Sequence, residues 1–126
     1  VELSHEFRYR EPVLTDNTLI VAISQSGETM DTLMAVRHAR ETGCKVLSIC
    51  NTQGATLARE SDGVIYTHAG PEVAVASTKA LVAQITAGYL LALFLAAARQ
   101  SKSPAELNAL GQELLKMPNW SQNPLW

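Results

Sequence analysis

Apolar residues in this chain come in compact runs separated by polar turns, and the period of each run predicts an element. Residues 19–23 (Leu-Ile-Val-Ala-Ile) follow the turn-like Thr15-Asp16-Asn17 without a polar interruption. Such a run predicts a strand buried on both faces. A polar turn leads into residues 29–42, where Leu33, Ala35, Val36 and Ala39 recur at helical spacing and Gly43 stands where a C-terminal cap belongs. Residues 45–50 predict the next strand, 51–54 a turn, 56–60 a short helix and 63–67 a third strand. The loop 68–77 precedes a long apolar helix over about 78–99. In the last segment Ser103 is an N-cap, Pro104 takes the first helical position and Glu106 completes a capping box. Leu107, Leu110 and Leu114 share one face of that helix. Pro118 is expected to end it, leaving 119–126 as an extended or disordered tail. Strand–helix alternation of this kind predicts an α/β fold, a parallel sheet flanked by helices.

The long helix has no formal charge between Lys79 and Arg99. Its length reaches the lower limit for crossing a bilayer. Gln84, Thr86, Gly88 and Tyr89 interrupt it, and it continues the α/β pattern. A helix buried in the fold or at a subunit interface is the better reading, with no membrane partner.

Composition narrows the classes. With 126 residues, 47% hydrophobic and 17% charged, the chain suits one folded domain rather than a disordered segment. A net charge of -2, with scattered Lys and Arg, supplies no footprint for nucleic acid. His5, His38 and His68 lie far apart from one another and have no paired spacing with Cys44 and Cys50, so no metal site is expected. The two cysteines bracket one strand, too far apart for a disulfide, and read as reduced thiols of a cytoplasmic protein. The N-terminus has neither an apolar signal core nor an initiator Met, and the chain reads as cut from a longer one.

Three stretches carry candidate chemistry. Ser24-Gln25-Ser26-Gly27-Glu28-Thr29 lies where a buried parallel strand gives way to a helix. Ligands bind beyond the carboxyl ends of strands in open α/β sheets, and a helix N-terminus there offers free N–H groups to a phosphate. Ser24, Ser26 and Thr29 add hydroxyls, Gln25 adds an amide, and Gly27 permits a tight turn. The loop has no Lys or Arg and lacks the glycine patterns of nucleotide sites, which suits a small monophosphate held by neutral donors. The same residues are also ordinary turn and cap formers. The second stretch, residues 70–79, opens the long helix. Ser77 there is a natural N-cap whose hydroxyl could reach a ligand, and Lys79 reads as solvated or paired rather than as a catalytic base. The third, Glu6-Phe7-Arg8-Tyr9-Arg10, reads as an amphipathic surface or interface segment, although two arginines around a tyrosine also suit an anion.

Taken together these motifs resemble sugar isomerase (SIS) domains. Ser24-Gln25-Ser26-Gly27-Glu28-Thr29 with Asp31-Thr32 is similar to their sugar-phosphate loop. Residues 4–10, residues 69–80, Cys50-Asn51 and Arg59-Glu60-Ser61-Asp62 are similar to segments of the glutamine–fructose-6-phosphate aminotransferase family. The resemblance covers about residues 1–99, is specific as a set, and weakens from Gln100. It implies a three-layer, flavodoxin-like SIS fold over 1–118, incomplete at the N-terminal end. It implies that Ser24, Gln25, Ser26 and Thr29 bind the phosphate side of a sugar phosphate, and that Val75 and Ser77 contact the sugar. The family joins ammonia from glutamine to fructose 6-phosphate and isomerises the product to glucosamine 6-phosphate, with no metal or organic cofactor. The glutaminase part, the second SIS domain and the family's catalytic positions have no counterpart here, so no catalytic residue is assigned. The alternative is a sugar-phosphate-sensing SIS module without turnover. A homo-oligomer is the expected assembly.

Overall fold

A computed structural model describes residues 1–71 and 78–120, with the side chains of 117–120 excepted. In chain order the elements are α1 (Ser4–Tyr9), β1 (Leu19–Ser24), α2 (Met30–Glu41), β2 (Lys45–Cys50), α3 (Thr56–Glu60), β3 (Gly63–Tyr66), α4 (Thr78–Ala98) and α5 (Pro104–Trp120). The three strands form a parallel sheet in the order β1-β2-β3. Ile20 pairs with Val46, Ala22 with Ser48 and Ser24 with Cys50, so these residues share one face. The chain divides into two compact units, Val1–Ala87 and Gly88–Trp126.

The first unit is organised by the sheet face that meets α2. Ala22, Leu33, Val36, Val46 and Leu57 form a buried cluster with Ile20 packed against it. Leu33, Ala35, Val36 and Ala39 are the buried residues of α2, the positions that the helical period selected. The helix stops as Gly43 requires. Gly43 adopts φ +85, its N–H donates to Arg40 O at 3.0 Å, and the Cys44 N–H donates to Ala39 O at 3.1 Å. This double return of N–H groups satisfies carbonyls that a simple helix end leaves open. Arg37 clamps α2 to α3 through a two-pronged pair with Glu60, at 2.8 and 2.6 Å. Asp62 accepts from Val46 N at 2.9 Å and Lys45 Nζ at 3.0 Å, fixing the entry to β3 against β2. At the N-terminal side, α1 packs on α2, with Thr32 Oγ1 donating to Ser4 Oγ at 3.3 Å. Arg8 lies over the Tyr9 ring and Arg10 reaches Glu2, so the Arg-Tyr-Arg segment is engaged within its own neighbourhood.

In the second unit, α5 begins as its capping box dictates. The Ser103 N–H donates to Glu106 Oε2 at 2.8 Å, and the Glu106 N–H donates to Ser103 Oγ at 3.3 Å. Leu107, Leu110 and Leu114 lie half-buried on one face.

Three expectations are corrected. The strand β1 is not buried on both faces: Leu19, Val21 and Ile23 are 46%, 38% and 50% exposed. They alternate with Ile20, Ala22 and Ser24, and β1 is an edge strand whose helical cover lies on the other face. Of the two expectations for α4, burial within the fold does not hold among the described residues, and a place at a subunit interface is not touched by this. Only Ala80 and Ala87 are buried, while Leu81, Val82, Ile85, Leu90 and Phe94 are exposed. By length and composition alone α4 could cross a membrane. Finally, Pro118 does not end α5, whose backbone runs to Trp120. A proline loses the bond to the carbonyl four residues earlier and crowds it, but its fixed φ of about −65° is itself helical, so the backbone keeps a helical course to Trp120. The remainder of the expected tail, 121–126, lies outside the described residues.

Candidate functional site

The loop between β1 and α2 is closed in part by its own side chains. The Gly27 N–H donates to Ser24 Oγ at 3.1 Å, and the Glu28 N–H donates to Ser26 Oγ at 3.2 Å. Both hydroxyls accept in these bonds and keep their own protons for a ligand. Ser24 is buried, Gln25 and Ser26 are half-buried, and Thr29 is exposed. Thr29 stands at the N-cap of α2 with extended backbone and no side-chain capping bond. Its hydroxyl is therefore free of the role that its position would ordinarily give it. The first intrahelical bond runs from Leu33 N–H to Thr29 O, so the N–H groups of the preceding turn open toward the loop.

Gly27 makes this arrangement possible. It adopts φ +68, and a Cβ there would meet Ala55 Cβ at 2.6 Å and Cys50 Sγ at 2.7 Å. The close approach lets Gly27 O accept from Leu57 N–H at 3.0 Å, docking the loop on the start of α3. Glu28 completes the joint. Its Oε1 accepts from the Thr56 N–H at 2.7 Å, and that bond to the backbone holds its carboxyl below the usual range. The negative charge of Glu28 is thus directed at α3 and away from the hydroxyls. Cys50 is fully buried beneath the turn, and burial pushes its thiol up.

A second loop, after β3, faces the first across the carboxyl end of β2. Asn51, the residue after β2, joins them. Its backbone N–H donates to Gln25 O at 3.1 Å. Its side chain accepts from Thr67 Oγ1 at 2.9 Å and Ala69 N–H at 2.8 Å, and donates to Gly70 O at 2.9 Å. Between the loops lies an open pocket of about 360 Å³ lined by Gln25, Asn51, Thr52, Gln53, His68, Gly70 and Pro71. Lys79 is exposed and its Nζ donates to Pro71 O at 2.6 Å, so it is paired as its sequence position suggested.

Of the expected site residues, Ser24, Gln25, Ser26 and Thr29 are brought together in the first loop. Only Gln25 among them lines the pocket. Val75 and Ser77 lie outside the described residues. Sequence reasoning missed the parts of Asn51 and Glu28. Asn51 sits in a turn cluster where asparagine is commonplace, and Glu28 looks like any acidic residue before a helix. Among the described residues no group of three His, Cys, Asp or Glu could hold a metal ion.

A hydroxyl-rich turn at the carboxyl end of a parallel strand, followed by an open helix N-terminus, is matched by the family model for the SIS domain over residues 1–94. The chain belongs to the SIS domain family. Curated relatives of this SIS chain include the glutamine--fructose-6-phosphate aminotransferase [isomerizing] of Corynebacterium glutamicum, 64% identical over 94% of the chain and 19% of the relative. The chain thus spans about a fifth of that relative's length. Among solved structures, the C-terminal domain of glucosamine-fructose-6-phosphate aminotransferase from Francisella tularensis aligns with a TM-score of 0.87 and 39% identity. The alignment covers 91% of this chain and 33% of that one. A putative phosphosugar isomerase from Clostridium difficile 630 aligns at TM-score 0.77 and 26% identity, over 82% of this chain and 31% of that one. The three parallel strands with flanking helices agree with the three-layer α/β fold expected of an SIS domain.

Proposed function

We propose that this chain is a sugar-phosphate-binding part of the isomerase region of a glutamine–fructose-6-phosphate aminotransferase, working as part of a cytoplasmic enzyme. The observation that carries the reading is the loop of residues 24–29. It gathers three hydroxyls at the start of a helix while its only carboxylate, Glu28, is turned onto α3. Neutral donors of that kind hold the phosphate of a small monophosphate. Ser26 and Thr29 donate to the phosphate, Ser24 shapes the turn and donates its remaining proton, and Gln25 faces the pocket. Val75 and Ser77 contact the sugar, as the family resemblance implies. The relatives' names support fructose 6-phosphate as the sugar phosphate. The partial SIS domain extends over 1–118, and its partners are the substrate and a second copy of the chain.

His68 is the one titratable side chain among the pocket's described lining residues. Two proton-transfer groups are not paired there, so on its own the chain binds without turnover. That observation keeps a sensing module as the second reading.

Calorimetric titration with fructose 6-phosphate, glucosamine 6-phosphate and inorganic phosphate tests the proposal. Each of Ser26→Ala and Thr29→Ala should weaken sugar-phosphate binding by about 1.5–3 kcal/mol, the usual value for a hydrogen bond to a charged group. Unchanged affinity in both folded variants would remove the loop from the site.

A further inference from the structure

The loop after β3 holds a shape that its own backbone does not favour. His68 adopts φ +51 and Gly70 φ +72, and for a histidine the left-handed region is uncommon. The Thr67 N–H donates to Cys50 O and Lys79 Nζ to Pro71 O, and three further bonds of this loop converge on one side chain. Asn51 takes Thr67 Oγ1 and the Ala69 N–H on its oxygen and gives its amide to Gly70 O, bracketing His68 on both sides. Through its backbone N–H the same residue holds Gln25 O of the hydroxyl loop. Gln25 on one side and His68, Gly70 and Pro71 on the other are walls of the same pocket.

We propose that Asn51 is a positioning residue that sets the distance between the phosphate-holding loop and the opposing loop, so that a sugar phosphate engages both at once. This rests on the sugar-phosphate reading above. A ligand that reaches only the hydroxyl loop does not sense Asn51's side chain, because the contact with Gln25 is made by the backbone. A ligand long enough to touch both walls does. Asn51 therefore governs the preference for a sugar phosphate over free phosphate.

The test compares affinities for fructose 6-phosphate and inorganic phosphate in the wild-type chain, Asn51→Ala and Thr67→Val, with each fold checked by circular dichroism. Removal of the Asn51 side chain should lower the sugar-phosphate affinity about tenfold or more, since several hydrogen bonds are lost together. Inorganic phosphate should stay within about twofold, because no bond of the hydroxyl loop is touched. Thr67→Val preserves shape, removes one of the bonds to Asn51, and keeps the question answerable if Asn51→Ala does not fold. It should move the ratio in the same direction by about threefold. Equal losses for the two ligands, or an unchanged ratio in the folded variants, would overturn the role of Asn51 and leave the binding reading standing. A wild-type chain that binds neither ligand would overturn the binding reading and this proposal with it.

Discussion

At the scale of single residues, Gly27 is where the fold and the site depend on one atom that is not there. A methyl group would need to occupy space held by Ala55 Cβ and Cys50 Sγ, both buried, with the backbone already at φ +68. Left-handed backbone costs a non-glycine residue about 1–2 kcal/mol, and overpacking a tight site adds about 1–3. Gly27→Ala should therefore destabilise the chain by roughly 2–5 kcal/mol in urea unfolding, read as a lower midpoint at unchanged slope. Glu28 makes a prediction of the opposite kind, visible only as pH changes. Its carboxyl is held low by the Thr56 N–H, so the folded state binds its proton less readily than the unfolded chain. The stabilisation is present above the ordinary glutamate value of about 4.3 and is lost as pH falls through the lowered folded value. Glu28→Gln should flatten that part of the stability profile, measured by thermal melts across the acid range. Equal acid sensitivity in wild type and variant would show that the contact contributes nothing. The hydroxyls of this loop were legible in the sequence because Ser, Thr and Gly after an apolar strand form a local pattern. The partners of Gly27 and Glu28 were not, because Ala55 and Thr56 lie about 28 residues away and only the packing of α3 brings them in.

At the scale of elements, the sequence is most readable where the signal is local. The strand β2 and the short helix α3 fall at the expected residues, and the start of α5 follows its capping box. The end of α2 was equally plain, because Gly43 can take the left-handed conformation without penalty. Readings that needed knowledge of neighbours failed. An apolar strand looks the same whether its second face is covered or open, and β1 proves half open. The period of α4 says that it is apolar, but not what it rests against. The joint between α2 and α3 shows how weakly a short element is held by its own bonds. Buried Leu57 and Ala58, the Leu57 N–H bond to Gly27 O and the Arg37–Glu60 pair secure a helix of five residues. Both partners of that pair are partly exposed, so solvent screens much of its attraction. Arg37→Ala should therefore cost no more than about 1 kcal/mol in chemical unfolding. A loss several times larger would mean that the pair organises the hydroxyl loop through α3, and phosphate binding would fall with it.

At the scale of the whole molecule, the apolar surface that remains uncovered is the feature left to explain. Leu81, Val82, Ile85, Leu90, Phe94 and Leu95 are exposed along one helix, and Leu19, Val21 and Ile23 along one strand. Scattered apolar residues are normal on protein surfaces, but a continuous apolar helix is a liability unless something covers it. Membership of the SIS family, whose relatives here carry enzyme names, favours protein cover over lipid. We propose that the chain self-associates, with α4 contributing to the contact. Phe94 is the most exposed of the large apolar residues on α4, at 69%. Burying a phenylalanine is worth about 1.5–3 kcal/mol, and about 1.4 kcal/mol corresponds to a factor of ten in association. Phe94→Glu should therefore weaken self-association by at least about tenfold in sedimentation velocity, while circular dichroism stays unchanged. Wild-type chain that sediments as a monomer across a wide concentration range would refute self-association. Oligomers indifferent to Phe94→Glu would instead move the contact to the open face of β1, where Val21→Lys becomes the decisive variant.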